Sequence, residues 1–135
     1  CLLVTGDHGM INVPGASRLV AEDEPRLAGY SFLGGEPRFR HIYGDDARAL
    51  AWAWESVLGE RAHVLRREEA IEAGWFGPQV TGLSAARIGD VVAAMTGDFA
   101  VMSQRTPGEF SLVGMHGSLT AAEMEVPLLI HGGER

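Results

Sequence analysis

Leu2-Leu3-Val4-Thr5-Gly6-Asp7-His8-Gly9-Met10 opens the chain with three apolar residues, a threonine, and then a carboxylate beside an imidazole with glycine on either side. So short an apolar run reads as a buried strand of the parallel type. In open α/β sheets, reacting groups gather in the crevice beyond the carboxyl ends of strands, where this sequence puts Asp7 and His8. Adjacent side chains on a regular strand point to opposite faces. For both to reach one centre the backbone must leave strand geometry, which Gly6 and Gly9 permit. A hard oxygen next to an imidazole nitrogen suits a divalent metal such as zinc. The same tripeptide also suits a plain turn, with Asp7 capping it and His8 in solvent; the stretch alone leaves both readings open.

The 135 residues suffice for one domain with a core. With 46% hydrophobic and 21% charged residues, the composition is that of an ordinary soluble globular chain. The net charge is -7 and every basic residue is arginine. That balance argues against a nucleic-acid-binding surface, which needs a basic stripe. It leaves a substrate phosphate open, because bound metal ions can supply the positive charge locally. A single cysteine, Cys1, rules out an intrachain disulfide and a cysteine-rich zinc site. No run approaches the roughly 18 apolar residues of a membrane segment. The chain starts without methionine and already inside a strand, so a piece of a longer protein is expected, with any targeting information upstream. The compartment is left open, with the cytoplasm as the default.

Past the opening stretch, Met10 to Gly15 reads as a loop, and Glu22-Asp23-Glu24 as a solvated acidic face. Gly34-Gly35-Glu36-Pro37 reads as a turn, after which Phe39, His41 and Tyr43 alternate with Arg38, Arg40 and Ile42 as in a half-buried strand. Asp45 or Asp46 can cap a helix to about Leu58, with Leu50, Trp54, Val57 and Leu58 on one apolar stripe and Gly59 as its stop. A short strand from Ala62 to Leu65, a short helix from Arg67 to Ala73 and an aromatic turn, Trp75-Phe76-Gly77-Pro78, follow. That turn reads as packing first and as a wall against a substrate base second. Two apolar strands around Thr96-Gly97-Asp98 read as a hairpin. Residues 29–105 therefore form an inserted α+β subdomain, β-α-β-α-β-β, between residues 1–28 and 106–135, which make up part of an α/β core.

The second flank repeats the first motif. Gly114-Met115-His116-Gly117 again sets a histidine beside glycine at the end of an apolar segment. Thr120 and Glu123 fit a capping box, and Val126-Pro127-Leu128-Leu129-Ile130 reads as a buried strand left by His131-Gly132-Gly133. In order, Thr5-Gly6-Asp7-His8-Gly9-Met10, Gly114-Met115-His116-Gly117-Ser118-Leu119-Thr120, Glu123-Met124 and Val126-Pro127-Leu128-Leu129 resemble the C-terminal part of an alkaline phosphatase superfamily enzyme, and within it the type I phosphodiesterase/nucleotide pyrophosphatase family.

The resemblance implies an alkaline-phosphatase-like α/β fold, of which this chain is the C-terminal part. It implies two divalent metal ions, zinc with manganese as the alternative. Asp7 and His8 would hold one ion and His116 the other. The implied reaction is in-line phosphoryl transfer on a small phosphate ester or nucleotide, a phosphodiester in the first instance. Related monoesterases, sulfatases and phosphosugar mutases share the metal framework, and a non-catalytic binding or lid module is the reading from another class. The family's Thr or Ser nucleophile and its further Asp and His ligands have no counterpart here. Asp90, Asp98, His41 and His63 fall in the inserted unit with hairpin and strand roles, and Thr120 has its capping role. No catalytic residue is therefore assigned within the chain, which alone is expected to be inactive. The exposed edges of a partial sheet invite self-association.

Overall fold

The computed structural model describes residues 1–132, so the expected exit from the last strand runs, at Gly133, outside the described residues. The strands are β1 (Leu2–Thr5), β2 (Ile11–Asn12), β3 (Arg18–Val20), β4 (Phe32–Glu36) and β5 (Phe39–Tyr43), then β6 (Ala62–Arg66), β7 (Val91–Met95), β8 (Ala100–Met102), β9 (Gly114–Met115) and β10 (Leu128–His131). The helices are α1 (Ala47–Leu58), α2 (Arg67–Glu72), α3 (Gly82–Ala85) and α4 (Ala121–Met124).

The middle of the chain builds a four-stranded antiparallel sheet in the order β4-β5-β7-β6. Helix α1 lies on one face through the expected stripe, with Leu50, Trp54, Val57 and Leu58 all buried against Ile42, Val91 and Ala93. Trp52, off that stripe, is 72% exposed. The Asp46 side chain accepts the Ala49 N–H at 2.9 Å and starts the helix; Gly59, at φ 54°, stops it. Asp46→Ala is expected to cost about 1 kcal/mol of stability in urea unfolding. Phe39, Ala70, Ile88, Val92 and Ala94 form a second apolar layer on the opposite face.

Three local expectations are corrected. Gly34 to Glu36 belong to β4, and the turn is Pro37-Arg38, because Gly35 crosses so close to Phe39 that only a glycine backbone fits. The strands flanking Thr96-Gly97-Asp98 do not pair: β7 is taken up between β5 and β6, while β8 pairs in parallel with β3. The Phe99 N–H still closes the turn on Thr96 at 3.3 Å, so the chain bends there and changes sheets. Strand β5 is buried on both faces near its start, with Arg40 as enclosed as Ile42, and Arg38 in the turn before it is enclosed too.

The two ends of the chain meet. Strand β1 pairs with β10, antiparallel rather than parallel, with Leu3 opposite Ile130 and Thr5 opposite Leu128. Strand β1 lies where the sequence places it, whereas β10 starts at Leu128 rather than Val126 and takes in His131, and neither is buried: Leu3 is 61% and Ile130 65% exposed. A lone two-stranded ribbon has no neighbour to cover either face, so its alternating apolar side chains stay in solvent.

Candidate metal centre

Strand pairing explains how two distant histidines come together. The residues just after the Asp7-His8-Gly9 loop form β2, and those just before His116 form β9; the two pair antiparallel, Ile11 with Met115 and Asn12 with Gly114. Both loops therefore leave one side of one short ladder. The His8 and His116 rings stack with centroids 3.6 Å apart and an interplanar angle of 13°. The Asp7 carboxylate joins them, with Oδ2 3.7 Å from His8 Nε2. All three residues singled out by the sequence thus share one exposed spot.

The hydrogen bonds orient these groups. The His8 Nδ1 stands 2.7 Å from the Gly9 carbonyl oxygen. A carbonyl can only accept, so Nδ1 donates this bond and Nε2 is the nitrogen that faces Asp7. Backbone carbonyls placed like this one fix the tautomer of metal-binding histidines. The His8 backbone N–H donates to Asp7 Oδ1 at 3.0 Å. Its own backbone N–H, the neighbouring His8 imidazole and that His8 N–H hold the Asp7 carboxyl below its usual range. An imidazole nitrogen and a carboxylate oxygen about 2.1 Å from a tetrahedral zinc ion stand about 3.4 Å apart. The observed 3.7 Å is close to that, so this donor set fits a divalent ion. Among the described residues, no three His, Cys, Asp or Glu side chains converge tightly enough to enclose an ion unaided.

Behind the loops lies a buried knot centred on Glu123, only 2% exposed. Its carboxylate accepts Arg38 Nε at 3.0 Å and Nη2 at 2.6 Å, the Ser118 N–H at 3.1 Å and the Thr120 hydroxyl at 2.5 Å. Its backbone carbonyl accepts the Gly9 N–H at 2.7 Å. One residue therefore ties the Asp7-His8-Gly9 loop, the His116 loop and the β4–β5 turn of the middle sheet together. The capping-box expectation is corrected here. Thr120 spends its hydroxyl on the Glu123 carboxylate and does not cap the α4 backbone. Arg38 had no signal in the sequence beyond an arginine on an apolar strand.

The nearby hydroxyls are committed. Ser118 is 2% exposed and donates to the Met95 carbonyl at 2.5 Å, and Thr120 is held by Glu123. Neither has the free, exposed oxygen a nucleophile needs. Beyond Ser118, Leu119 forms part of an open groove of about 820 Å³ whose other walls include Trp75, His63, Glu55 and Glu60. Trp75 has the packing role expected of the aromatic turn, its ring edge-on against Phe39 at 5.9 Å, and it also lines this groove.

Searched by sequence, the chain matches no family profile and no curated protein. Solved structures do match. Human ectonucleotide pyrophosphatase/phosphodiesterase 5 superposes with a TM-score of 0.69 at 17% identity, over 96% of this chain and 33% of that one. The murine counterpart, solved as an inactive variant in complex with AMP, gives 0.65 at 18% identity over 93% and 32%. Phosphonoacetate hydrolase from Sinorhizobium meliloti 1021, in complex with phosphonoacetate, gives 0.63 at 20% identity over 94% and 35%. The chain spans about a third of the length of these neighbours and has the fold of their C-terminal portion. The α/β architecture expected of an alkaline phosphatase superfamily enzyme is the architecture found.

Proposed function

We propose that this chain carries the metal-binding part of a phosphoric ester hydrolase of the alkaline phosphatase superfamily, acting on phosphodiesters or nucleotide pyrophosphates. The observation that carries this reading is the convergence of Asp7, His8 and His116, on loops leaving β1 and β9, within a fold shared with a nucleotide pyrophosphatase/phosphodiesterase. Asp7 and His8 would hold one divalent ion and His116 a second. Bound there, two divalent ions supply Lewis acidity to the attacking and departing oxygens of an in-line displacement at phosphorus.

This chain's own residues do the rest by position. Gly9 C=O keeps the His8 proton on Nδ1, and the Glu123 knot holds both loops in register. The groove beside Leu119 and Trp75 offers room for the organic part of a substrate. Ser118 and Thr120 are committed elsewhere, and the family resemblance implies that the Thr or Ser that would attack phosphorus lies outside this chain. The same supposition accounts for the bare β1-β10 ribbon, which the remaining core would cover. A phosphonate is the second reading, favoured by the likeness to phosphonoacetate hydrolase.

The test pairs binding with turnover. Zinc titration of the chain should show affinity that drops at least about tenfold in Asp7→Ala and again in His116→Ala. The longer protein containing it, loaded with zinc, should hydrolyse bis(4-nitrophenyl) phosphate faster than 4-nitrophenyl phosphate or phosphonoacetate, and the chain alone should be silent. Unchanged zinc affinity in both variants would remove the site. Preference for phosphonoacetate would move the substrate to the second reading, and turnover by the chain alone would put the nucleophile inside it.

A further inference from the structure

Away from the paired loops, a cavity of about 360 Å³ opens between β5 and the segment after the aromatic turn. Its volume lies at the small end of the range for ligand pockets. Phe76, Val80 and Ile88 give it apolar walls, and His41, Ser84 and Arg87 bring polar groups to it. Two of these are set up for a ligand in ways the fold does not require.

The Gly89 N–H donates to His41 Nδ1 at 3.1 Å. That nitrogen is therefore the acceptor, and the proton sits on Nε2, which has no partner among the described residues. Burial of the ring lowers the pKa of His41 and favours this neutral form. Gly89 is needed for the arrangement, because a Cβ there would stand 2.6 Å from the Ile42 nitrogen. The second group is the Arg87 guanidinium. Its backbone carbonyl is pinned by the Tyr43 hydroxyl at 2.6 Å, yet its side chain makes no hydrogen bond or ion pair among the described residues. Arg48 is the other described arginine without a side-chain partner, and it lies on the exposed side of α1. Arg87 is exposed as well, and it differs in that it lines the cavity.

We propose that this cavity binds a small aromatic carboxylate, its ring against Phe76, Val80 and Ile88 and its carboxylate on the Arg87 guanidinium and the His41 Nε2–H. A guanidinium meets a carboxylate through two parallel hydrogen bonds, and a planar ring suits a slot with one aromatic and two aliphatic walls. A divalent metal has no place in this site, because a single histidine beside a guanidinium cation is not a ligand set. The inference stands independently of the hydrolase reading.

Benzoate is the probe, titrated into the metal-free protein by calorimetry and followed by amide chemical shifts. A ligand of this size should bind with a Kd of about 0.1–1 mM, with the largest shifts at Phe76, Ser84 and Arg87. Arg87→Ala should weaken binding about tenfold without loss of fold, since the side chain supports nothing else. Benzamide, which keeps the ring and loses the charge, should bind at least as weakly. No saturable heat up to about 10 mM, an unchanged Kd in Arg87→Ala, or shifts centred elsewhere would overturn the proposal. Equal affinity for inorganic phosphate would overturn it too, by making the site a general anion cradle.

Discussion

Glu123→Ala is expected to lose about 3–5 kcal/mol of stability in urea unfolding, the cost of leaving a buried charge without its partner. The Arg38 side chain is 0% exposed and that of Glu123 1% exposed, so the stranded guanidinium cannot turn to water. It would keep only carbonyl partners, Phe99 at 2.6 Å and Thr96 at 3.4 Å. The Ser118 N–H would be orphaned as well. Replacing both charged residues by methionine should cost less than the sum of the single changes, because an apolar pair removes the desolvation penalty. A double variant as unstable as that sum would refute the coupling. The acid limb carries a second signature. Burial, the largest single influence, raises the Glu123 pKa, but the hydrogen bonds from Arg38, Thr120 and Ser118 together hold it below 4.5. A carboxyl depressed in the folded state stabilises above its unfolded pKa, and the contribution fades as pH falls through the folded value. Stability should therefore drop below about pH 4.5 in the native chain, and that slope should flatten in Glu123→Gln.

The parts of the molecule legible in the sequence are those set by local chemistry. The α1 stripe, an aspartate cap at 45 or 46 and the Gly59 stop follow from spacing and residue type alone, and the structure has the stripe, the stop and the cap at Asp46. Pairing is different. The Thr96-Gly97-Asp98 turn carries a hairpin signal, yet β8 goes to β3, because partner choice depends on strands that are remote in sequence. Burial of β1 and β10 fails for a related reason: apolar runs say that a strand wants cover, not that this chain supplies it. At the candidate site, Asp7, His8 and His116 were legible because their residue types and glycine settings repeat. The Glu123 knot was hidden behind a simpler local explanation. A capping box and a buried ion pair use the same letters, and the arginine that decides between them lies in the turn between β4 and β5, far away in the chain.

Gly9→Ala should do to the site what Glu123→Ala does to the fold. A Cβ at position 9 would run into the Ala122 carbonyl oxygen, with the Ala122 carbonyl carbon at 2.8 Å and Glu123 Cα at 3.1 Å. These are backbone atoms, so no rotamer change relieves the clash. Either α4 moves away or the Asp7-His8-Gly9 loop does, and the Gly9 N–H bond to the Glu123 carbonyl breaks in both cases. The Gly9 carbonyl that fixes the His8 tautomer moves with it. If Asp7, His8 and His116 bind zinc together, affinity should fall about 10–100-fold, as for other losses of support behind metal ligands. Gly6→Ala is the control. Its Cβ would meet Val126 Cγ1 at 3.6 Å, an ordinary contact, at a backbone angle any residue adopts. The two substitutions add the same methyl group to the same loop, one on each side of the ligands. If both leave zinc binding intact, the loops are not a metal centre. If both abolish it equally, the loop is simply intolerant and the Glu123 contact plays no special part. Loss confined to Gly9→Ala would mean that the register between the two loops, and not loop composition alone, makes the site.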